Sequence, residues 1–143
     1  MRLCGIRGFL VGSRVTSGQF DLNDRLLDFA MVIAGIVKCI PNDRVGNHVA
    51  SQLIRSGTAP AAHHSEAQSA ESRRDFVHKM KMALKELRET RTWLRIVDRG
   101  ELAGCPVNSA LEECDQLIAI FVVSIRTASS HVTNQIETPG TGR

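Results

Sequence analysis

Between residues 21 and 128 the apolar side chains return every three or four positions in four separate stretches, with no strand-like run among them. Such a chain buries its apolar surface by packing helix against helix. The first stretch, expected over residues 21–40, aligns Leu22, Leu26, Phe29, Ala30, Ile33, Ile36, Val37 and Ile40 on one face. Asp21 is its expected N-cap, and Pro41 stops it. Gly35 within it costs about 1 kcal/mol relative to Ala, which points to a close helix contact there.

A second helix is expected to start from Asn42 or Asp43 and to pass through Val45, Val49, Leu53 and Ile54 towards Ala70. Pro60 removes one helical hydrogen bond, so a kink near Ala59–Pro60 is expected, or a division into two shorter helices. The third helix, over residues 72–98, carries Phe76, Met80, Ala83, Leu87 and Leu94 on its apolar face, with Val97 near the edge. Ser109 and Glu112 have capping-box spacing for the fourth. There Leu111, Cys114, Ile118, Phe121, Val122 and Ile125 face one way, while Leu117, Ile120 and Val123 point elsewhere. One bundle core needs one stripe, so the second predicts a subunit interface. The fold expected is an all-α, antiparallel up-down four-helix bundle over residues 21–128. Residues 1–20, with four glycines, three arginines and no helical period, read as a flexible basic leader. Their apolar run is too short for a signal peptide. Residues 129–143 read as a disordered polar tail.

Catalytic and metal chemistry find little support. A di-iron bundle needs Glu-x-x-His on two helices, and that motif is absent from the sequence. His63, His64 and Glu66 are the one local cluster of ligand types, but adjacent helical histidines diverge by about 100°. The four cysteines, Cys4, Cys39, Cys105 and Cys114, contain no Cys-x-x-Cys and read as reduced, with Cys39 and Cys114 as small core residues. No phosphate-binding glycine loop or nucleophile motif is present. The expectation is a non-enzyme without cofactor or metal. No apolar run reaches the ~18 residues of a membrane span.

Charge is more informative by segment than in total. The net +3 conceals +3 in residues 1–20, −1 in 21–70, +4 in 71–99 and −3 in 100–143. On a helical wheel Lys81, Lys85, Arg88, Arg95 and Arg99 form a stripe opposite the apolar face of helix three. Aligned cations on a rigid helix neutralise successive phosphates and release counterions. Glu86 and Glu89 are expected to balance the stripe in part, as on an ordinary solvated face. The candidate nucleic-acid-binding residues are Arg73, Arg74, Lys81, Lys85, Arg88, Arg91 and Arg95. Trp93 lies off the apolar face and is expected to pack against helix four or a neighbouring subunit. It joins Leu117, Ile120 and Val123 as the expected oligomer interface.

Residues 52–97 carry a resemblance. Gln52-Leu53, Arg55-Ser56-Gly57-Thr58, Ala62, Glu66-Ala67 and Ser72 lead into Asp75-Phe76, Lys79, Ala83-Leu84-Lys85-Glu86, Arg88-Glu89-Thr90 and Trp93-Leu94. That block resembles the bacterial four-helix-bundle family first noted as proteins encoded by intervening sequences in 23S rRNA genes. The family includes the accessory variability determinants of diversity-generating retroelements. The resemblance spans roughly residues 20–128 and implies a cytoplasmic bundle that assembles into homopentamers and has no enzymatic activity. For retroelement members it implies association with a reverse transcriptase and with RNA or DNA. The chain departs from the family pattern in the middle of helix two. A serine, an isoleucine or valine, and then an asparagine are usual there; Ala59, Pro60 and His63 stand in their place, followed by His64. The expected function is a self-assembling scaffold or adaptor that binds nucleic acid through helix three. The alternative is a protein-interaction or assembly module without nucleic acid.

Overall fold

The structure, a computed structural model, describes residues 21–133. The leader and the last ten residues of the expected tail lie outside the described residues. Four helices follow in order: α1 Leu22–Lys38, α2 Arg44–Gln68, α3 Arg73–Arg99 and α4 Asn108–Thr133. Each packs against the next in sequence, and α1 and α4 close the bundle. Side-chain pairs between α2 and α3 run in opposite senses along the two helices: Glu66 meets Lys79, Arg55 meets Glu86, and His48 meets Trp93. The architecture is the antiparallel four-helix bundle that the periodicity predicts.

Caps place the first three helices. The Asp21 carboxylate accepts from the Asn23 N–H at 2.9 Å, Asp43 from Gly46 at 2.8 Å, and the Ser72 hydroxyl oxygen from Asp75 at 3.1 Å. The α3 terminus is a Schellman turn, with Leu102 N–H bonded to Val97 C=O and Glu101 N–H to Asp98 C=O. Its left-handed position is Glu101, with φ 49°, and not the neighbouring Gly100. Pro60 is buried inside α2, which is assigned as helix on both sides of it.

The fourth helix differs from expectation in two ways at its ends. It starts two residues early, and the Leu111 N–H bonds the Val107 C=O, so Val107 occupies the cap position and Ser109 lies within the first turn. No capping box is therefore formed around Ser109 and Glu112. The helix also runs to Thr133, beyond the domain boundary expected at residue 128.

Leu26, Phe29, Ile33, Leu53, Met80, Leu87, Leu94, Leu117 and Phe121 are the large side chains at the centre of the core. The α2 stripe matches except that Val45 is exposed. On α4 the buried face is Val107, Ala110, Cys114, Leu117, Phe121 and Ala128, rotated from the expected one. The close approach of α1 and α2 occurs at Gly57, where a Cβ would stand 2.7 Å from Ile33 Cγ2. Gly35 is exposed and a Cβ there would touch nothing within 4 Å, so it marks no helix contact among the described residues.

Candidate nucleic-acid interface

The two long sides of α3 carry opposite kinds of electrostatics. Its inner side holds Met80, Ala83, Leu87, Leu94 and Val97 in the core. Beside that stripe, Glu86 and Glu89 turn towards α2, where Arg55 reaches both: its guanidinium stands 3.6 Å from Glu86 and hydrogen-bonds Glu89. The Trp93 indole N–H also points at Glu89, at 3.4 Å, and the ring stacks edge-on against His48 of α2 at 5.7 Å. Nearly two turns from the start of α3, Lys79 bonds Glu66 of α2 at 2.9 Å. That contact lowers the Glu66 pKa and raises that of Lys79.

The acids expected to balance the basic stripe are thus committed to the α2–α3 seam. On the outer side Lys81, Lys85, Arg88 and Arg95 are exposed, and none makes an ion pair among the described residues. Helical rise spreads Lys81 to Arg95 over about 21 Å of a straight cationic edge. His78, Thr92, Ile96 and Arg99 complete the same exposed face. Arg95 and Arg99 line two adjoining surface depressions. One, of about 460 Å³, also includes Thr92 and Ile96. The other, of about 410 Å³, also includes Arg91 and Asp115.

The remaining three candidate cations separate. Arg73 and Arg74 are exposed in the first turn of α3, where the helix dipole adds positive potential. Arg73 lines its own depression of about 530 Å³ with Gln68, Ser72 and Phe76. Arg91 is held by Asp115 of α4 at 2.6 Å and is the one of the seven candidates in an ion pair among the described residues. Arg55 was not among the sequence candidates, although it draws the acids away from the stripe. Only the pairing of α2 with α3 reveals that role.

The expected oligomer interface needs correction. Leu117 has 0% exposure and belongs to the core. Ile120 is half-buried, and Val123 is 60% exposed. Trp93 is half-buried against α2, not against α4. A larger apolar exposure, missed in the sequence, lies on α1: Leu27 is 49%, Met31 70% and Val32 46% exposed.

His64 is buried against Phe121, with Nε2 3.3 Å from the Gln68 amide and Nδ1 without a hydrogen-bond partner. Burial lowers its pKa, opposed by a weaker attraction from Asp21. His63 Nδ1 stands 3.8 Å from Glu66. No three His, Cys, Asp or Glu side chains are grouped for a metal ion among the described residues. No helix there is long and apolar enough to cross a membrane.

No curated protein matches the chain. A crystal structure from Bacteroides thetaiotaomicron, described as a protein of unknown function from the S23 ribosomal protein family, is similar to it. The two share 32% identity and superpose with a TM-score of 0.67, over 72% of this chain and 96% of that one. The sequence model of the 23S rRNA-intervening sequence protein family matches residues 19–122. With the helical block at residues 52–97 and the bundle that contains it, the chain belongs to the 23S rRNA-intervening sequence protein family.

Proposed function

We propose that the protein is a non-enzymatic, cytoplasmic scaffold or adaptor that assembles into a homopentamer and binds nucleic acid through the outer face of α3. The observation that carries this reading is the division of charge on that helix. Glu86 and Glu89 face Arg55, while Lys81, Lys85, Arg88 and Arg95 remain exposed and unpaired. A closed ring repeats that face around its axis and builds an extended positive surface, which favours a polyanion at low ionic strength. The partner is RNA or DNA, bound with little sequence preference because the contacts go to phosphates. In a retroelement setting a reverse transcriptase is a further partner.

Fluorescence anisotropy with a labelled single-stranded RNA and the matching DNA tests the reading. Four phosphate contacts to a single strand predict a loss of roughly 50-fold in affinity between 50 and 200 mM salt. Lys81→Glu, Lys85→Glu and Arg88→Glu together are expected to weaken low-salt binding by at least ~30-fold. Absence of binding at 50 mM salt, or a triple variant that binds like the parent, overturns it. Light scattering at micromolar concentration tests assembly; the expected mass is five times 15.7 kDa, and a monomer overturns the ring.

The second reading is an assembly or protein-interaction module that does not bind nucleic acid. It is favoured by the exposed Leu27, Met31 and Val32 of α1 and by Val123 of α4. Polar substitutions at these positions that dissolve the oligomer, in a protein that binds no RNA or DNA, select it.

A further inference from the structure

At one end of the bundle the close of α1 meets the α3–α4 connection. The Gly104 N–H donates to the Cys39 carbonyl at 2.9 Å, which brings the following residue, Cys105, beside the Cys39 side chain. The Cys105 thiol interacts with that of Cys39, and both residues are half-buried. Cys39 caps α1, and its thiol also reaches the Gly35 carbonyl at 3.5 Å. Cys114 is different: it is fully buried, donates to the Leu87 carbonyl at 3.3 Å, and has its pKa pushed up to about 12, chiefly by burial.

We propose that Cys39 and Cys105 form a dithiol modification site that hydroperoxides convert to an intramolecular disulfide, stapling the end of α1 to the α3–α4 connection. Sequence spacing hides the pair, because 39 and 105 lie on opposite sides of two long helices and only the fold closes the gap. A disulfide needs Cα atoms about 4.4–6.8 Å apart, and the backbone hydrogen bond from Gly104 to Cys39 draws the two segments together next to Cys105. Cys39 is assigned the first attack because Cys105 is held protonated, its pKa raised to about 11 chiefly by burial and then by the neighbouring Cys39.

In the first step the Cys39 thiolate attacks one peroxide oxygen. An S–O bond forms, the O–O bond breaks, and hydroxide leaves; sulfur loses two electrons and the peroxide gains them. In the second step Cys105 attacks the sulfenic sulfur. The S–S bond forms, the S–O bond breaks, and hydroxide takes up the Cys105 proton as water. The sum is two thiols and one hydrogen peroxide giving one disulfide and two waters. A small dithiol reductant reverses it by exchange.

The test uses the full chain carrying Cys4→Ser, treated with hydrogen peroxide and digested without reduction for mass spectrometry. A peptide linking Cys39 to Cys105, two hydrogen atoms lighter than its reduced parts, is expected in protein that still migrates as a single chain under denaturing, non-reducing conditions. Dithiothreitol should separate it, and Cys114→Ser should leave its yield unchanged. Cys39→Ser and Cys105→Ser should each abolish the link while the reduced variants melt within a few degrees of the parent. Because the closed loop is long, the linked form should melt about 5–10 °C higher than the reduced form. Persistent free thiols, sulfinic acid on separate cysteines, inter-chain disulfides, or a linked form that melts lower than the reduced one would each overturn the proposal.

Discussion

The inner and outer sides of α3 are built from similar numbers of long side chains, yet they do different work. On the inner side every charge near the core has a designated neighbour. Glu86 and Glu89 share Arg55, Lys79 takes Glu66, and Trp93 fills the gap above His48. On the outer side Lys81, Lys85, Arg88 and Arg95 make no ion pair among the described residues. A charge run on a helix is ordinarily a solvated face with mixed signs. Here Glu86 and Glu89 of the same helix serve the seam with α2, so Lys81, Lys85 and Arg88 form a stretch of one sign, while Asp98 and Asp115 border its far end beside Arg95.

The largest expected effect belongs to the packed side. Leu87 has no exposure and sits where α3 meets α4, its carbonyl taking the Cys114 thiol. Leu87→Ala should cost about 3 kcal/mol in chemical denaturation, through lost burial and the cavity left behind. Under conditions where the variant remains folded, its RNA affinity and salt slope should equal those of the parent. A change in salt slope would break the comparison, because it would couple the core to a surface argued to act by charge alone.

The comparison also explains what the sequence made readable. Asp21 caps α1 as expected, and Asp43, one of the two residues offered, caps α2, because a cap needs only its own next few residues. The wheel of α3 was legible because its apolar and basic residues separate cleanly. Residues 117–125 of α4 are apolar nearly all round, so the wheel has no unique phase there, and Leu117 falls in the core rather than at a surface. Gly35 and Gly57 look alike in sequence. Only the presence of Ile33 opposite Gly57, and of nothing opposite Gly35, distinguishes them. Glu86 and Glu89 are the same kind of case: their role depends on Arg55, which lies 31 and 34 positions away.

The seam itself can be opened. Arg55→Met removes the cation shared by Glu86 and Glu89. Because Arg55 is about half exposed, the loss should be modest, about 1 kcal/mol of stability. RNA affinity should move by less than ~2-fold, since both acids remain on the α2 side of the helix. A fall as large as that of the triple charge reversal would show that Arg55 itself touches the nucleic acid, and the two sides of α3 would no longer be separate.

The packed side also carries a pH dependence. His64 has its pKa lowered by burial against Phe121, so the unfolded chain takes the proton first as pH falls. Stability should therefore decline as pH drops below about 6.5, the ordinary histidine value. His64→Leu should flatten that decline in denaturation curves collected across the range. An undiminished slope in the variant would place the pH sensitivity elsewhere in the chain.

The smallest effect concerns Arg91, which stands on the boundary between the two regimes. It is one of the seven candidate cations, but Asp115 of α4 holds it at 2.6 Å with both side chains about half exposed. Such a pair contributes less than ~1 kcal/mol to stability, so Asp115→Asn should barely change the melting temperature. Freeing Arg91 adds one cation beside Arg95 and Arg99, which line the same depression. Affinity for RNA at 50 mM salt should rise about 3-fold, and the slope of log affinity against log salt should steepen by about one. If the affinity rises while the slope stays constant, Arg91 does not reach a phosphate, and the gain comes from removing a negative charge near the stripe. If neither changes, the cationic edge ends short of Arg91. The outer face is then the line from Lys81 to Arg95 alone, with α4 taking no part in it.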